Sequence, residues 1–244
     1  CMTEPTTAIL RAMNITFTDR ELDRRLSWYC EPSQWETGTS ADGALILTTE
    51  TDTDYWQRTH YGFRRDNGHL LYAETFGDMT LETCLHYHPA HDFDQAGLMV
   101  RFSSEEWIKT SVERETDGSL QLGAVVTRAG YSDWSTQRFP EGPIDLCLQI
   151  RRVGEDYHVR WKRTGAGANA DAWRRLRIAH LTPPLELPPS ASTGTTDGSK
   201  GGTTAPLLAG IYAASPNTGG CTVRFDYLKL QQGRTRGTEE QITA

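Results

Sequence analysis

The sequence is short of the features that would commit it to a metal, a membrane or a nucleic acid. Its five cysteines (Cys1, Cys30, Cys84, Cys147 and Cys221) are scattered through 244 residues. No two form a CxxC pair, so zinc and dithiol redox motifs are absent. Cys84, Cys147 and Cys221 lie inside apolar, strand-like runs, where a free thiol behaves as a small hydrophobe. That points to a reducing compartment. No apolar stretch approaches the ~20 residues of a membrane span, and no basic-then-apolar leader opens the chain. The expected location is the cytoplasm, with no membrane partner.

Positive charge is also scarce. Lysine and arginine total 25 against 32 acids, a net charge of −7. No basic stripe is available to displace counterions from phosphates, so a nucleic-acid partner is not expected. The densest basic cluster, Arg174, Arg175 and Arg177, reads as a solvated strand or loop edge. The GxSxG elbow, the Walker loop and the dinucleotide fingerprint are missing, which leaves esterase, NTPase and dehydrogenase chemistry without support. No cofactor is implied.

Long helical periodicity is nearly absent too. Only "DRELDRRLS" (19–27) looks briefly helical. What is present is strand alternation bounded by turn signals. Strands are expected at 43–50, 68–76, 79–88, 118–127, 144–153, 156–164, 207–215 and 221–230, with Asp117-Gly118 and Gly154-Glu155 as turns. Short strands at this spacing indicate a sandwich or barrel. The length fits an all-β, two-sheet antiparallel jelly roll in a single domain spanning 1–244. Residues 183–206 ("PPLELPPSASTGTTDGSKGGTTAP") are poor in apolar side chains and are expected to form a flexible insertion. The polar tail is expected to fray from about 232.

The stretch "DQAGLMVRFSSEEWIKTSVE" (94–113) reads as a hairpin. A three-residue loop at Ser104, Glu105 and Glu106 gathers Ala96, Leu98, Val100 and Phe102 with Ile108, Thr110 and Val112 on a core face. A four-residue loop would mix apolar and charged groups on both faces, which a half-buried sheet resists. The preferred register sets Arg101 opposite Lys109, Met99 opposite Ser111 and Gly97 opposite Glu113. Like charges directly opposite are unfavourable, so a nearby anion is required: Glu113, Glu82 or a ligand. Gly97 would leave room above the Glu113 carboxylate.

Four stretches together carry a family resemblance: "TDTDYWQRTHYGFRRDNGH" (51–69), the hairpin, "VVTRAGYSDWST" (125–136) and "AGIYAASPNTGGCTVRFDYLKL" (209–230). Across about residues 15–231 the chain resembles the DUF1349 family of concanavalin A-like β-sandwiches, one branch of which is named for regulation of enolase. It is also similar to the C-terminal sandwich domain of some β-xylosidases. The resemblance implies a jelly roll of the lectin/glucanase type, with one concave and one convex sheet, and no established reaction. The insertion at 183–206 departs from the family pattern.

Each motif has a plain structural reading beside the functional one. The acids of "ETDTD" (50–54) suggest the alternating carboxylates of sandwich glycoside hydrolases. The third acid is Asp, however, and the run leads straight into aromatics, so a turn with Asp capping is favoured. Glu82, His86, His88 and His91 with Asp92 read as outer-face polar groups rather than a metal site. "YWQRTHYGF" (55–63) offers Trp56 and Tyr61 as rim aromatics for sugar stacking. "YSDWS" (131–135) is expected on an end loop, with Asp133 as a hydrogen-bonding group and Trp134 as a stacking plane.

These residues point to a non-catalytic module binding carbohydrate or a sugar-like metabolite on the concave sheet. Gln95, Arg101, Lys109, Glu113 and Asp133 would supply the polar contacts, and Trp56, Tyr61, Trp107 and Trp134 the aromatic ones. One alternative is a cytosolic regulator that binds an enzyme of sugar metabolism. Another is a hydrolase or lyase using Glu113 or Glu82 as general acid/base, with Lys109 tuning the carboxylate.

Overall fold

A computed structural model describes residues 12–39, 43–164, 172–184 and 206–233. Its strands are β1 (Ala12–Ile15), β2 (Ser27–Tyr29), β3 (Gln34–Thr37), β4 (Leu45–Thr48), β5 (Tyr55–Gln57), β6 (Arg64–Asp66), β7 (His69–Thr75), β8 (Met79–Tyr87) and β9 (Gln95–Ser103). They continue as β10 (Glu106–Arg114), β11 (Leu120–Arg128), β12 (Tyr131–Phe139), β13 (Ile144–Val153), β14 (Asp156–Arg163), β15 (Arg174–His180), β16 (Leu207–Ala214), β17 (Thr222–Phe225) and β18 (Leu228–Gln232). No helix forms among the described residues.

Two antiparallel sheets make a sandwich. One runs β15-β14-β13-β8-β17-β4-β3, with β18 also beside β8 and β1 beside β18. The other is seven-stranded, β12-β11-β10-β9-β16-β7-β2, and β5 and β6 form a separate hairpin. Side chains alternate across each strand, and the apolar set of each sheet turns inward. Leu81, Leu85, Leu146, Leu148, Val223 and Phe225 from the first sheet share one core with Leu98, Val100, Ile108, Leu122, Leu207 and Ile211 from the second. Bulk β-branched and leucine side chains at every second position thus specify both strand and face.

Several expectations change. Residues 19–26 form bends and a turn rather than a helix, and Ser27 opens β2. Asp23 accepts from the Arg25 amide at 3.0 Å and from its guanidinium at 2.8 and 2.6 Å. Such local side-chain bonds compete with the helical ladder. The run 221–230 breaks into β17 and β18 at Asp226 and Tyr227, where the Asp226 amide donates to Cys84 O at 3.0 Å. "YSDWS" lies within β12, not on a loop. Most of the 183–206 insertion (185–205) and the tail beyond 233 fall outside the described residues.

The β9–β10 hairpin keeps the expected faces and changes the partners. The turn is Ser104-Glu105, and a bulge beside it pairs Glu106 with Ser103 and then Trp107 with Arg101. A shorter turn plus one bulged residue moves every partner by two positions, which preserves the inward and outward sets. Lys109 therefore faces Met99, Ser111 faces Gly97 and Glu113 faces Gln95. The Arg101–Lys109 clash does not arise. Gly97 answers a different need from the one expected: a Cβ there would stand 1.8 Å from the Thr110 carbonyl oxygen. Close approach of the neighbouring strand, not room over a ligand, calls for glycine.

Cys84 and Cys147 sit directly opposite on β8 and β13 and form a disulfide. This corrects their reading as free thiols, and it removes two of the three cysteines that pointed to a reducing compartment. Cys30 and Cys221 are free.

Candidate functional site

The outer face of the seven-stranded sheet is not simply wet. Residues 51–68, carrying the β5–β6 hairpin, fold over it and create a second apolar cluster: Tyr55, Trp56, Leu70, Met99, Trp107, Val125 and Tyr212. The cover is pinned at both ends. The Gln57 amide donates to Ser132 Oγ at 2.9 Å, and Arg58 Nη1 donates to the Gly130 carbonyl at 3.0 Å. At the other end the Ser215 amide donates to Thr53 Oγ1 at 2.9 Å, and Thr49 and Ser215 share a hydroxyl contact of 2.6 Å.

Between cover and sheet lies a cavity of about 170 Å3, lined by Asp54, Trp56, Tyr61, Phe63, Phe93, Gln95, Lys109, Glu113, Val125, Trp134, Pro216 and Asn217. Its floor is a chain of buried polar groups. Lys109 Nζ donates to Asp54 Oδ1 at 3.1 Å and to Gln95 Oε1 at 2.7 Å. The Tyr212 hydroxyl donates to the same Gln95 oxygen at 3.2 Å. Lysine and aspartate are both almost fully buried, so each satisfies the other. Its walls are aromatic. Trp56 meets Tyr61 and Trp134 edge-on, at ring-centroid distances of 5.5 and 6.3 Å, and Tyr61 stacks with Phe63 at 5.7 Å.

Glu113 differs from the rest of the floor. Among the described residues no hydrogen bond or ion pair reaches its carboxyl. Burial beside the cavity pushes its pKa up to about 8; the Lys109 charge pulls down, and Asp54 and Glu115 push up. At neutral pH the group therefore sits close to its own titration, which an ordinary surface glutamate does not.

The structure brings six of the expected residues to the cavity: Trp56, Tyr61, Gln95, Lys109, Glu113 and Trp134. Three others go elsewhere. Arg101 is buried in a two-pronged bond to Asp66, at 2.8 and 3.1 Å, with the Tyr29 ring 4.3 Å from its guanidinium carbon. Trp107 is wholly enclosed beneath the cover, its Nε1 donating to the Ser104 carbonyl at 3.1 Å. Asp133 follows Val126 to the core side of its sheet, where it pairs with Arg177 at 3.1 Å. Strand alternation explains the split between Asp133 and Trp134.

The anions expected near Arg101 and Lys109 are Asp66 and Asp54, not Glu82 or Glu113. Glu82 stands on the far side of the sandwich, on the outer face of the other sheet. There it accepts from Gln149 at 2.9 Å and from the Tyr227 hydroxyl at 2.8 Å. It cannot work with Glu113. The acids of "ETDTD" diverge as well: Glu50 accepts from the Ser33 amide at 2.9 Å and Asp52 pairs with Arg65 at 3.1 Å. Asp54 is the residue the sequence undervalued. A turn reading was sound for the segment, but its lysine partner lies 55 positions away and leaves no local signal. Phe63 and Phe93 were also missed. Phe93 has φ of +69°, unusual for a bulky side chain, and no sequence pattern announces that.

The histidines do not converge. His86 is held between Asp145, at 2.7 Å, and Asp226, at 2.8 Å, on the outer face of the other sheet. Among the described residues no three His, Cys, Asp or Glu side chains are placed to hold a metal ion.

Known proteins agree with this architecture. The chain is 33% identical over 188 residues to "Regulation of enolase protein 1" of Saccharomyces cerevisiae, covering 77% of this chain and 81% of the relative. A crystal structure of a functionally unknown protein from Saccharomyces cerevisiae superposes with a TM-score of 0.68 at 27% identity, over 86% of this chain and 98% of that one. A GH43 protein from Bacillus licheniformis, BlXynB, gives 0.66 at 17% identity, over 95% of this chain and 41% of the larger protein. The last likeness concerns the fold alone: a concanavalin A-like sandwich. The family model described as "Protein of unknown function (DUF1349)" matches residues 28–233, and the chain belongs to that family.

Proposed function

We propose that the protein is a non-catalytic binding module that takes a small carbohydrate or sugar-like metabolite in the cavity beneath residues 51–68. The observation that carries this reading is the pairing of a polar floor (Asp54, Gln95, Lys109, Glu113) with aromatic walls (Trp56, Tyr61, Trp134) in one enclosed space. A few fixed polar groups among apolar walls are the usual make-up of a small-molecule site. The volume is below the roughly 300–1,000 Å3 of drug-sized pockets, which favours a single ring. Glycoside hydrolysis has less support, since it needs two available carboxyl groups flanking the bond. Glu113 is free, but Asp54 is engaged by Lys109, and Glu82 is on the opposite face. Calorimetric titration with a panel of monosaccharides tests the proposal. A saturable signal that is lost in Trp134→Ala supports it; no binding across the panel counts against it.

A second reading rests on the relative named for regulation of enolase: the protein would act on an enzyme of sugar metabolism. Exposed aromatics suited to such contact are Tyr61 and Phe63 at the cavity and Tyr131, whose ring lies 5.0 Å from the guanidinium of Arg58 in the cover. Sedimentation with purified enolase tests it. A complex weakened by Tyr131→Ala would favour this reading, and no complex at micromolar concentrations would count against it.

A further inference from the structure

The geometry points to a ligand that carries a positively charged amine or ammonium group, seated among the rings of Trp56, Tyr61 and Trp134 against the carboxyl of Glu113. This deepens the proposed binding function and rests on it. Three observations carry it. First, one carboxyl within the cavity is unmatched. Lys109 is committed to Asp54 and Gln95, and Glu113 is left with no partner among the described residues. Second, the remaining walls offer little to hydroxyl groups. Val125, Phe63, Phe93 and Pro216 are apolar, Asn217 is the one further polar side chain in the lining, and the floor's Lys109, Gln95 and Asp54 answer one another. Each hydroxyl beyond the few that the floor can answer costs a ligand its water, so a sugar-like ring gains from an amine in place of a hydroxyl. Third, aromatic faces around a carboxylate are the chemical environment that holds an ammonium ion: ring quadrupoles attract the cation and the carboxylate neutralises it.

The titration behaviour of Glu113 fits this placement. Half-buried at the cavity and bonded to no counter-ion, its carboxyl is pushed up to about 8 by the loss of solvent around it, and an incoming cation would draw off the proton. Lys109 faces it from the same strand, Asp54 and Tyr61 from the covering segment, Glu115 from beyond the strand end, and Tyr212 and Tyr87 from β16 and β8. Burial raises all three tyrosines above their ordinary range, so they stay neutral between pH 6.5 and 9.

The test uses the full chain and two matched pairs of probes, glucosamine with glucose and choline with its neutral isostere 3,3-dimethylbutan-1-ol, titrated at pH 7 by calorimetry. The charged member of each pair should bind more tightly, for choline by at least ~10-fold once the pH exceeds 8 and Glu113 is ionised. Choline keeps its charge at every pH, so its affinity should rise about 10-fold in all from the acid side to a plateau above pH 8, as Glu113 ionises. Glu113→Gln should abolish both the preference and the slope. Should that variant fail to fold, the wild-type pH profile carries the same test. Equal affinity for glucose and glucosamine would overturn the ammonium inference and leave the binding module standing. Choline binding with no sugar bound would uphold the ammonium inference and remove the carbohydrate reading. No binding by any of the four would remove both.

Discussion

Lys109 Nζ lies 3.1 Å from Asp54 Oδ1, beneath a cover that leaves the lysine 3% and the aspartate 6% exposed. Both charges are shut off from solvent on every side but the cavity, so each depends on the other. Removing one partner strands the other, at a cost of about 3–5 kcal/mol. Lys109→Met and Asp54→Asn should each lower the urea-unfolding free energy by that order. The double variant should recover much of the loss, because it leaves no unpaired charge. A cycle in which the two single losses simply add would show that the pair is not coupled.

The Arg101–Asp66 contact is a fork matched to a carboxylate, at 2.8 and 3.1 Å, and it ties β9 to the end of β6. A lysine cannot reproduce two parallel bonds, nor the contact with the Tyr29 ring. Arg101→Lys should therefore cost about 1–3 kcal/mol and loosen the cover. Hydrogen exchange of residues 64–66 should speed up relative to the core strands. Unchanged exchange there would mean that Asp66 does not depend on the fork.

Much of the sandwich could be read from strand alternation, and much of the cavity could not. Every strand with four or more alternating apolar positions, such as Met79, Leu81, Leu85 and Tyr87 in β8, shows its inward face in the sequence. The short strands β2, β3, β5 and β6 lack that pattern: β2 is held by the longer β7, β3 by the equally short β4, and β5 and β6 by each other. The outward set of the β9–β10 hairpin was correct because parity survives a bulge. The partner of each residue was not, because the bulge beside Trp107 shifts the pairing by two and leaves the apolar alternation unchanged. Gln95, Lys109 and Glu113 were visible as unusual polar groups on one face. Asp54 and Phe93 came from loops, where no periodicity records what a side chain will touch.

Glu113 should make stability depend on pH. Its folded pKa of about 8 stands above that of a free glutamate. The unfolded chain releases this proton first, so stability is fully present below pH ~4.5 and declines as pH rises toward 8. Glu113→Gln, which cannot ionise, should be more stable than wild type at pH 8, by on the order of 2 kcal/mol once the opening to the cavity is allowed for. At pH 4.5 the two should melt alike. A constant difference at both pH values would mean that the carboxyl ionises freely in the folded protein.

The Cys84–Cys147 bond joins neighbouring strands at the centre of the nine-stranded sheet and closes a loop with a sequence separation of 63. A loop of that length carries about 2–4 kcal/mol of stabilisation by restricting the unfolded chain. Non-reducing peptide mapping should recover the two cysteine peptides joined. Cys84→Ser with Cys147→Ser should lower the urea midpoint. Peptides recovered separately from protein alkylated before any reductant is added would show the thiols to be free.

His86 is held by carboxylates on both ring nitrogens, Asp145 at 2.7 Å and Asp226 at 2.8 Å, while Arg224 lies opposite on β17 and itself pairs with Asp226. Partial burial pulls the imidazole pKa down, and the two carboxylates outweigh it, so the net shift is upward. A group raised on folding contributes stability that is present below its unfolded pKa of ~6.5 and is lost as pH rises through the folded value. The difference in stability between wild type and His86→Gln should therefore be largest near pH 6 and shrink toward pH 9. The site is about one-third exposed, so solvent screening keeps the effect below about 1 kcal/mol, a shift of one to a few degrees in Tm for a chain this long. A difference that grew with pH would mean that the neutral imidazole is the form the two aspartates hold.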